Sequence, residues 1–408
     1  NSLQDALKSP DLVTQLDLRG QYLNELPSEI GALVNLQELD LRKNKFQSLP
    51  DSMAGLKRLK KVRIAENRMR FFPEVLCRLK NLEEIDLREN RIENIPAGVG
   101  ELSNLKKLSL AWNNITQLPS EMGDLQSLLR LELQYNNLIS LPDGFKNLKN
   151  LRVLYLDWNY FEIIPVQLSE LPELRHLRMP ENRLTSVPAY VSRLSKLSKL
   201  DLSNNSIEEF NEDFCVLEHL QEVNLNNNKI KDISPCFCQN RNIKVLNIRN
   251  NRLEELPEEF ENFSNLTHLD LSENRFAIFP EILCNFAELK YLNLRFNQIK
   301  NLPEKVAGMT KLQELYLGGN DISYLPTRVF QMQNLLYLGL TQNQLTDLTF
   351  DLRENHTLQG LYLGGNPVSK PIFGLELMTK LKQLTLPAQT SNLAEIKRKL
   401  DWLNVEIH

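Results

Sequence analysis

The chain has 408 residues, 42% of them hydrophobic and 25% charged, a composition that excludes a disordered polymer. A net charge of −4 excludes the basic excess expected of a nucleic-acid binder. No run of 18 apolar residues occurs, which excludes a spanning helix. The first residue is Asn1, not Met, so the chain is expected to begin either after processing or at a boundary cut into a longer chain, and in both cases an export leader would not be visible. From the amino end, Ser2 to Leu7 reads as a short amphipathic helix with Ser2 as N-cap and Asp5 at the third helical position. Residues 1–12 are read as an amino-terminal cap.

From residue 13 to 389 one unit repeats. A marker placed at Gln21 and moved by 23 falls on Asn44, Asn67, Asn90, Asn113, Asn136, Asn159, Asn182, Asn205, Asn228, Asn251, Asn274, Asn297, Asn320, Asn343 and Asn366, and then on Gln389. These seventeen units show no insertion or deletion. Ahead of each marker stands L-x-x-L-x-L-x-x, as in Leu36, Leu39 and Leu41 before Asn44. Six residues after it stands Pro in twelve units, from Pro27 and Pro50 to Pro303 and Pro326. The alternation x-L-x-L-x has period two and predicts a short strand with its leucines facing inward. Strands separated by so long a return path must pair in parallel. Asn at the turn predicts a ladder of side-chain amides bonded to the backbone of their own and adjacent coils. Leu-Pro predicts an extended entry into a short irregular or 3-10 outer arc. No unit can bury its leucines alone, so neighbours share one apolar spine.

Four units lack the Pro: Asn211, Ser234, Thr349 and Ile372 take its place, and a local change in the outer arc between 205 and 250 is one reading, drift at a tolerant surface the other. Cys77, Cys215, Cys238 and Cys284 lie ten residues after their markers, where Gly31, Gly100 and Gly123 stand in other units. That place wants a small residue, so these are read as packed thiols; a disulfide between adjacent units is the alternative. Cys236-x-Cys238 lacks a second ligand pair with zinc spacing. Residues 390–408 are read as a closing cap: Asn392 with Glu395 opens a helix to about Leu400, and Val405 and Ile407 alternate as a last half-strand.

These residues resemble the leucine-rich-repeat family in its 23-residue Leu-Pro form, found in bacterial proteins and in some animal cytosolic scaffolds. The opener Ala6-Leu7-Lys8-Ser9-Pro10, with Leu16-Asp17-Leu18-Arg19-Gly20-Gln21, is similar to the start of secreted or surface proteins of spirochaetes. The resemblance implies an α/β repeat solenoid: a right-handed leucine-rich-repeat horseshoe with a parallel β-sheet on its concave face, convex arcs of irregular or 3-10 structure, and protein binding on the concave side.

No GxxxxGK[ST], HExxH or GxSxG motif is present, so no enzyme, cofactor or metal is expected. His176 and His268 share a column four units apart, roughly 19 Å at about 4.8 Å per strand, too far for one metal ion. Lys45, Arg68, Arg91, Arg183, Lys229, Arg252 and Arg275 follow their markers and read as a solvated edge, because Glu residues interleave. The acidic run from Glu254 to Glu261 reads as a soluble outer arc. Sequons at Asn114, Asn204, Asn262, Asn265 and Asn355 would require a secretory route that nothing in the sequence indicates.

Since the register never slips, the residues six, four, two and one before each marker should point outward. Two regions there carry aromatics. The first holds Trp112, Arg130, Glu132, Tyr135, Tyr155, Asp157, Trp158, His176, Arg178 and Glu181. The second holds Tyr291, Arg295, Phe296, Tyr316, Tyr337 and Tyr362, with Gly318, Gly319, Gly339, Gly364 and Gly365 expected to leave slots between the rings. Exposed aromatics beside arginines suit binding anchors, whereas cross-strand packing alone would make them structural. The first expectation is therefore a monomeric, non-catalytic module that binds a protein or glycan partner, and no nucleic acid, on the concave face of an exported or surface bacterial protein. The alternatives are an intracellular scaffold for a small GTPase or kinase regulator, and the recognition half of a larger enzyme.

Overall fold

A computed structural model describes residues 3–210, 217–347, 357–403 and 405–407 of the chain. Ser2, Asn211, Cys215, Thr349 and Asn355 lie outside the described residues. The chain forms two compact units, Asn1–Asn205 and Ser206–His408.

The first unit opens with helix α1, Leu3–Leu7. Three-residue strands follow at the repeat period, from Gln15–Asp17 to Lys199–Asp201. They pair in parallel with a register of one repeat, as in Leu16 with Leu39, Leu131 with Leu154 and Leu177 with Leu200. The central residue of each strand and the next but one face inward: Leu131, Leu133, Leu154 and Leu156 are wholly buried. On the opposite side each coil carries a five-residue 3-10 turn, such as Ser120–Asp124 and Val166–Glu170. The Pro before each turn is extended, with φ −71° and ψ 153° at Pro119, so the missing N–H costs nothing. The unit is thus a right-handed solenoid with its parallel sheet on the concave side and 3-10 arcs on the convex side.

The second unit repeats this plan from Glu222–Asn224 to Gln383–Leu386. Where Pro is missing, the described turns shrink to three residues: Phe237–Gln239 follows Ser234, and Leu375–Leu377 follows Ile372. Helix α2, Leu393–Lys399, and a strand at Val405–Ile407 end the described chain, Val405 facing Leu384 and Ile407 facing Leu386. Asn392 stands at the N-cap position but does not cap α2. Its side chain instead exchanges two hydrogen bonds with the backbone of Ile372, and Glu395 pairs with Lys399 at 2.9 Å.

The marker asparagines hold successive coils together. Asn136, 4% exposed, donates from Nδ2 to the Leu133 carbonyl of its own coil and the Leu110 carbonyl of the preceding one, both at 3.0 Å. Its Oδ1 accepts from the Ile115 N–H, also in the preceding coil. The same three partners recur, shifted by the repeat, at Asn67, Asn113, Asn159, Asn251 and Asn274. Gln21 and Gln389, the two ends of the marker series, are exposed.

The small-residue place after the marker has a steric cause. A Cβ on Gly31 would lie 2.7 Å from the Ser52 carbonyl, and one on Gly100 2.8 Å from that of Glu121. At Gly123 it would collide with the Gly144 carbonyl. Gly123→Ala is therefore expected to destabilise the first unit by about 1–3 kcal/mol, because the obstacle is backbone and cannot swing aside. A thermal melt checks this. Cys77, Cys238 and Cys284 occupy the same place as free thiols. Burial pushes Cys77 and Cys284 up to about 11 and Cys238 to about 12, which leaves them unreactive. Cys236, which stands outside that place, is disulfide-bonded, the alternative state for the cysteines.

Candidate functional site

The residue just before each marker from Gln21 to Asn366 adopts a left-handed backbone conformation. Positive φ recurs at Gly20, Lys43, Glu66, Glu89, Trp112, Tyr135, Trp158, Glu181, Asn204, Asn227, Asn250, Glu273, Phe296, Gly319, Gln342 and Gly365. Gly and Asn tolerate it; a bulky side chain costs about 1 kcal/mol or more. Three successive coils of the first unit nevertheless place Trp112, Tyr135 and Trp158 there, with φ of 57°, 56° and 52°. The rings form one stack: Trp112 and Tyr135 have centroids 3.6 Å apart at 12°, Tyr135 and Trp158 5.2 Å apart at 11°. Trp112 is 51% and Trp158 48% exposed, so the stack is built at the surface and not drawn into the spine.

The rest of the first predicted group forms a second cluster on the sheet. Tyr155 lies between two guanidiniums, with Arg130 4.8 Å and Arg178 5.2 Å from its ring centroid. Each arginine is held by a carboxylate: Arg130 by Glu132 at 2.5 Å, Arg178 by Asp157 at 2.8 Å. Ser109 donates a short hydrogen bond to Glu132. His176 stands in the same first outward column as Arg130, between Val153 and Lys199. The predicted central group thus resolves into a ring ladder and an Arg–Tyr–Arg sandwich, with His176 in the first outward column.

Beside the ladder, the residues two before the marker are Ala111, Gln134 and Asp157. Gln134 Oε1 and Asp157 Oδ1 are buried without a hydrogen-bond partner in another residue. Asp157 is only 7% exposed, and this burial pushes its carboxyl up to about 6; Arg178 opposes the shift and Asp201 adds to it. Gln134 was not singled out from the sequence, since an amide in an outward column reads as solvated. The only signal was its place between Ala111 and Asp157.

In the second unit the aromatic column is more self-contained. His268 stacks on Tyr291 with centroids 6.0 Å apart, Tyr291 meets Tyr316 at 5.8 Å, and Arg295 lies 4.3 Å over the Tyr316 ring. Tyr316 donates to Glu314 at 2.9 Å, and Tyr362 donates to Gln383. Burial and Glu314 raise the Tyr316 hydroxyl well above the usual tyrosine range. Tyr337 and Phe296 belong to the same surface, but the expected slots are filled. A Cβ on Gly339 would lie 2.8 Å from the Tyr316 ring and one on Gly360 2.6 Å from that of Tyr337, and a Cβ on Gly319 would strike Phe296. Gly319, Gly339 and Gly360 thus make room for neighbouring rings, while Gly318 abuts Thr341 and Gly365 abuts Gln342.

Among the described residues no group of three or more His, Cys, Asp or Glu could hold a metal ion, and no helix is long and apolar enough to cross a membrane. The basic edge is interleaved as expected, with Lys229 at 3.9 Å from Glu208 and Arg275 at 3.9 Å from Glu254.

Family models for leucine-rich repeats match much of this chain. A leucine-rich repeat region model matches residues 13–113, leucine-rich repeat models match 104–125, 172–230 and 218–276, and a two-copy repeat model matches 287–327, together more than half of the length. No curated protein matches the sequence. Among solved structures, a leucine-rich-repeat protein of Leptospira interrogans is 29% identical, with a TM-score of 0.73 over 99% of this chain and 98% of that one. The plant peptide hormone receptor RGFR1 in complex with RGF2 is 24% identical, with a TM-score of 0.74 over 97% of this chain and 70% of that one. An internalin of Listeria monocytogenes is 23% identical, with a TM-score of 0.67 over 75% of this chain and 87% of that one. The last two show a shared fold.

Proposed function

We propose that this chain, which belongs to the leucine-rich-repeat family, is a non-catalytic module that docks a macromolecular partner on the concave side of its first unit, in an exported or surface-associated bacterial protein. The observation that carries the proposal is the exposed Trp112–Tyr135–Trp158 stack. Cross-strand packing explains rings that touch, but not bulky rings kept half in water on a backbone that prefers Gly or Asn. Such rigid, amphipathic rings are typical interface anchors. A binding role also fits the plant receptor RGFR1, which was solved in complex with RGF2. Export is supported by the disulfide at Cys236, a bond that persists in oxidising compartments, and a bacterial source by the likeness to a Leptospira protein. The tyrosine column of the second unit would serve as an auxiliary contact, with its rings already positioned by each other.

The test exploits the backbone. Replacing all three ring residues (W112N/Y135N/W158N) puts a residue favoured in the left-handed region at each place, as at Asn204 and Asn227. Thermal stability is expected to hold or rise, while partner capture by the full chain falls at least a hundredfold, as for loss of several hot-spot rings. Capture that survives with undiminished affinity would reject the docking surface.

A further inference from the structure

We infer that the edge of the ring ladder receives an arginine side chain of an extended partner segment, its guanidinium bonded to Gln134 and Asp157. The inference rests on the docking surface proposed above and specifies the chemistry of what docks there. The two buried acceptors stand in adjacent coils, about 4.8 Å apart along the sheet. Neither Gln134 Oε1 nor Asp157 Oδ1 has a donor in another residue, although Asp157 Oδ2 is already held by Arg178. Buried acceptors without donors are costly, and a ligand that supplies N–H groups removes that cost. The guanidinium is the side chain with a planar fork of donors that can reach two such oxygens while its face lies on an aromatic ring.

Charge points the same way. Along the ladder's own column, Glu89 precedes Trp112 and Glu181 follows Trp158, so acid flanks the rings at both ends. Glu89 is exposed and Glu181 half-buried. The two lie four coils apart, roughly 19 Å, the reach of about six extended residues. The nearby arginines do not repel the newcomer strongly, because Arg130 is neutralised by Glu132 and Arg178 by Asp157 and, at 3.8 Å, Asp201.

The experiment uses the full chain carrying Trp402→Phe, so that Trp112 and Trp158 are the remaining tryptophan reporters of the three. A neutral Gly-Ser hexapeptide with one central arginine is titrated and compared with the same peptide bearing citrulline or lysine. The expected result is a saturable fluorescence change with arginine at least tenfold tighter than with citrulline or lysine. Asp157→Asn and Gln134→Leu should each weaken arginine binding at least tenfold, and their melting curves show that they remain folded. Equal binding of arginine and citrulline, or an Asp157→Asn variant that binds as before, overturns the assignment. The two levels separate cleanly. If the triple asparagine variant loses the macromolecular partner but the peptides show no arginine preference, the docking surface stands and the arginine site falls. If arginine is preferred but the triple variant keeps its partner, the converse holds.

Discussion

Asp157→Asn is expected to stabilise the first unit near neutral pH by about 1–3 kcal/mol. The carboxyl is held at about 6 in the folded chain by burial, against an ordinary value of 3.8. The folded state therefore binds the proton more tightly than the unfolded state. Its contribution to stability is full below the unfolded value near 4 and is lost as pH rises through 6. Two units of difference correspond to about 3 kcal/mol at most. The groups around the carboxyl are few: Arg178 on Oδ2, Asp201 beyond it, and the Tyr155 ring with Arg130 on the neighbouring face. Arg178 is 44% exposed in its side chain and remains solvated when its partner becomes an amide. Thermal melts of the wild type and variant between pH 4 and 7 should converge at the acid end and diverge through pH 5–6. Parallel curves would show that Asp157 titrates normally. A variant that gains stability and loses ligand is the signature of a residue kept for binding.

Asn136→Ala should have the opposite sign and a larger size. It removes two donated bonds and one accepted bond, all buried, leaves the Ile115 N–H without a partner, and leaves the Leu110 and Leu133 carbonyls with the donors of Asn113 and Asn159 alone. A loss of about 3–4 kcal/mol is expected from one orphaned N–H and two under-satisfied carbonyls. Asn136→Asp keeps the acceptor but turns a carboxylate toward two carbonyls, and should be no milder. Because two of the three contacts join neighbouring coils and the third stays within one, the effect should be local. Hydrogen exchange at the Ile115 amide should accelerate by more than a hundredfold, while amides in distant coils move less. Unchanged protection at Ile115 would show that the ladder does not bear the contact between coils.

Much of this was legible because the repeat never slips. The strand leucines, the Pro-led 3-10 turns and the Asn ladder each follow from a residue type recurring at one phase, and the outward columns follow from counting. Legibility failed where a property belongs to neighbours rather than to a position. Gln134 looks like any polar residue until the packing around it buries it. The glycines near Tyr316 and Tyr337 suggested gaps because a missing side chain says nothing about which ring fills the space. Asn392 matched a capping pattern, yet the backbone of Ile372 competes for the same amide. The left-handed backbone before each marker had a signal that went unread: Gly20, Asn204, Asn227, Asn250, Gly319 and Gly365 share that phase.

The asparagine contacts also have a direction. Each marker reaches backward, to a carbonyl 26 residues and an amide 21 residues earlier, as Asn136 does with Leu110 and Ile115. A coil emerging from the ribosome therefore stays unlatched until the following one has been made, about one to five seconds later at ordinary rates of synthesis. Assembly of each unit would then run like a zip whose slider travels with translation, and a pause within one repeat would leave the newest coil, and its leucines, open to the surroundings for as long as the pause lasts.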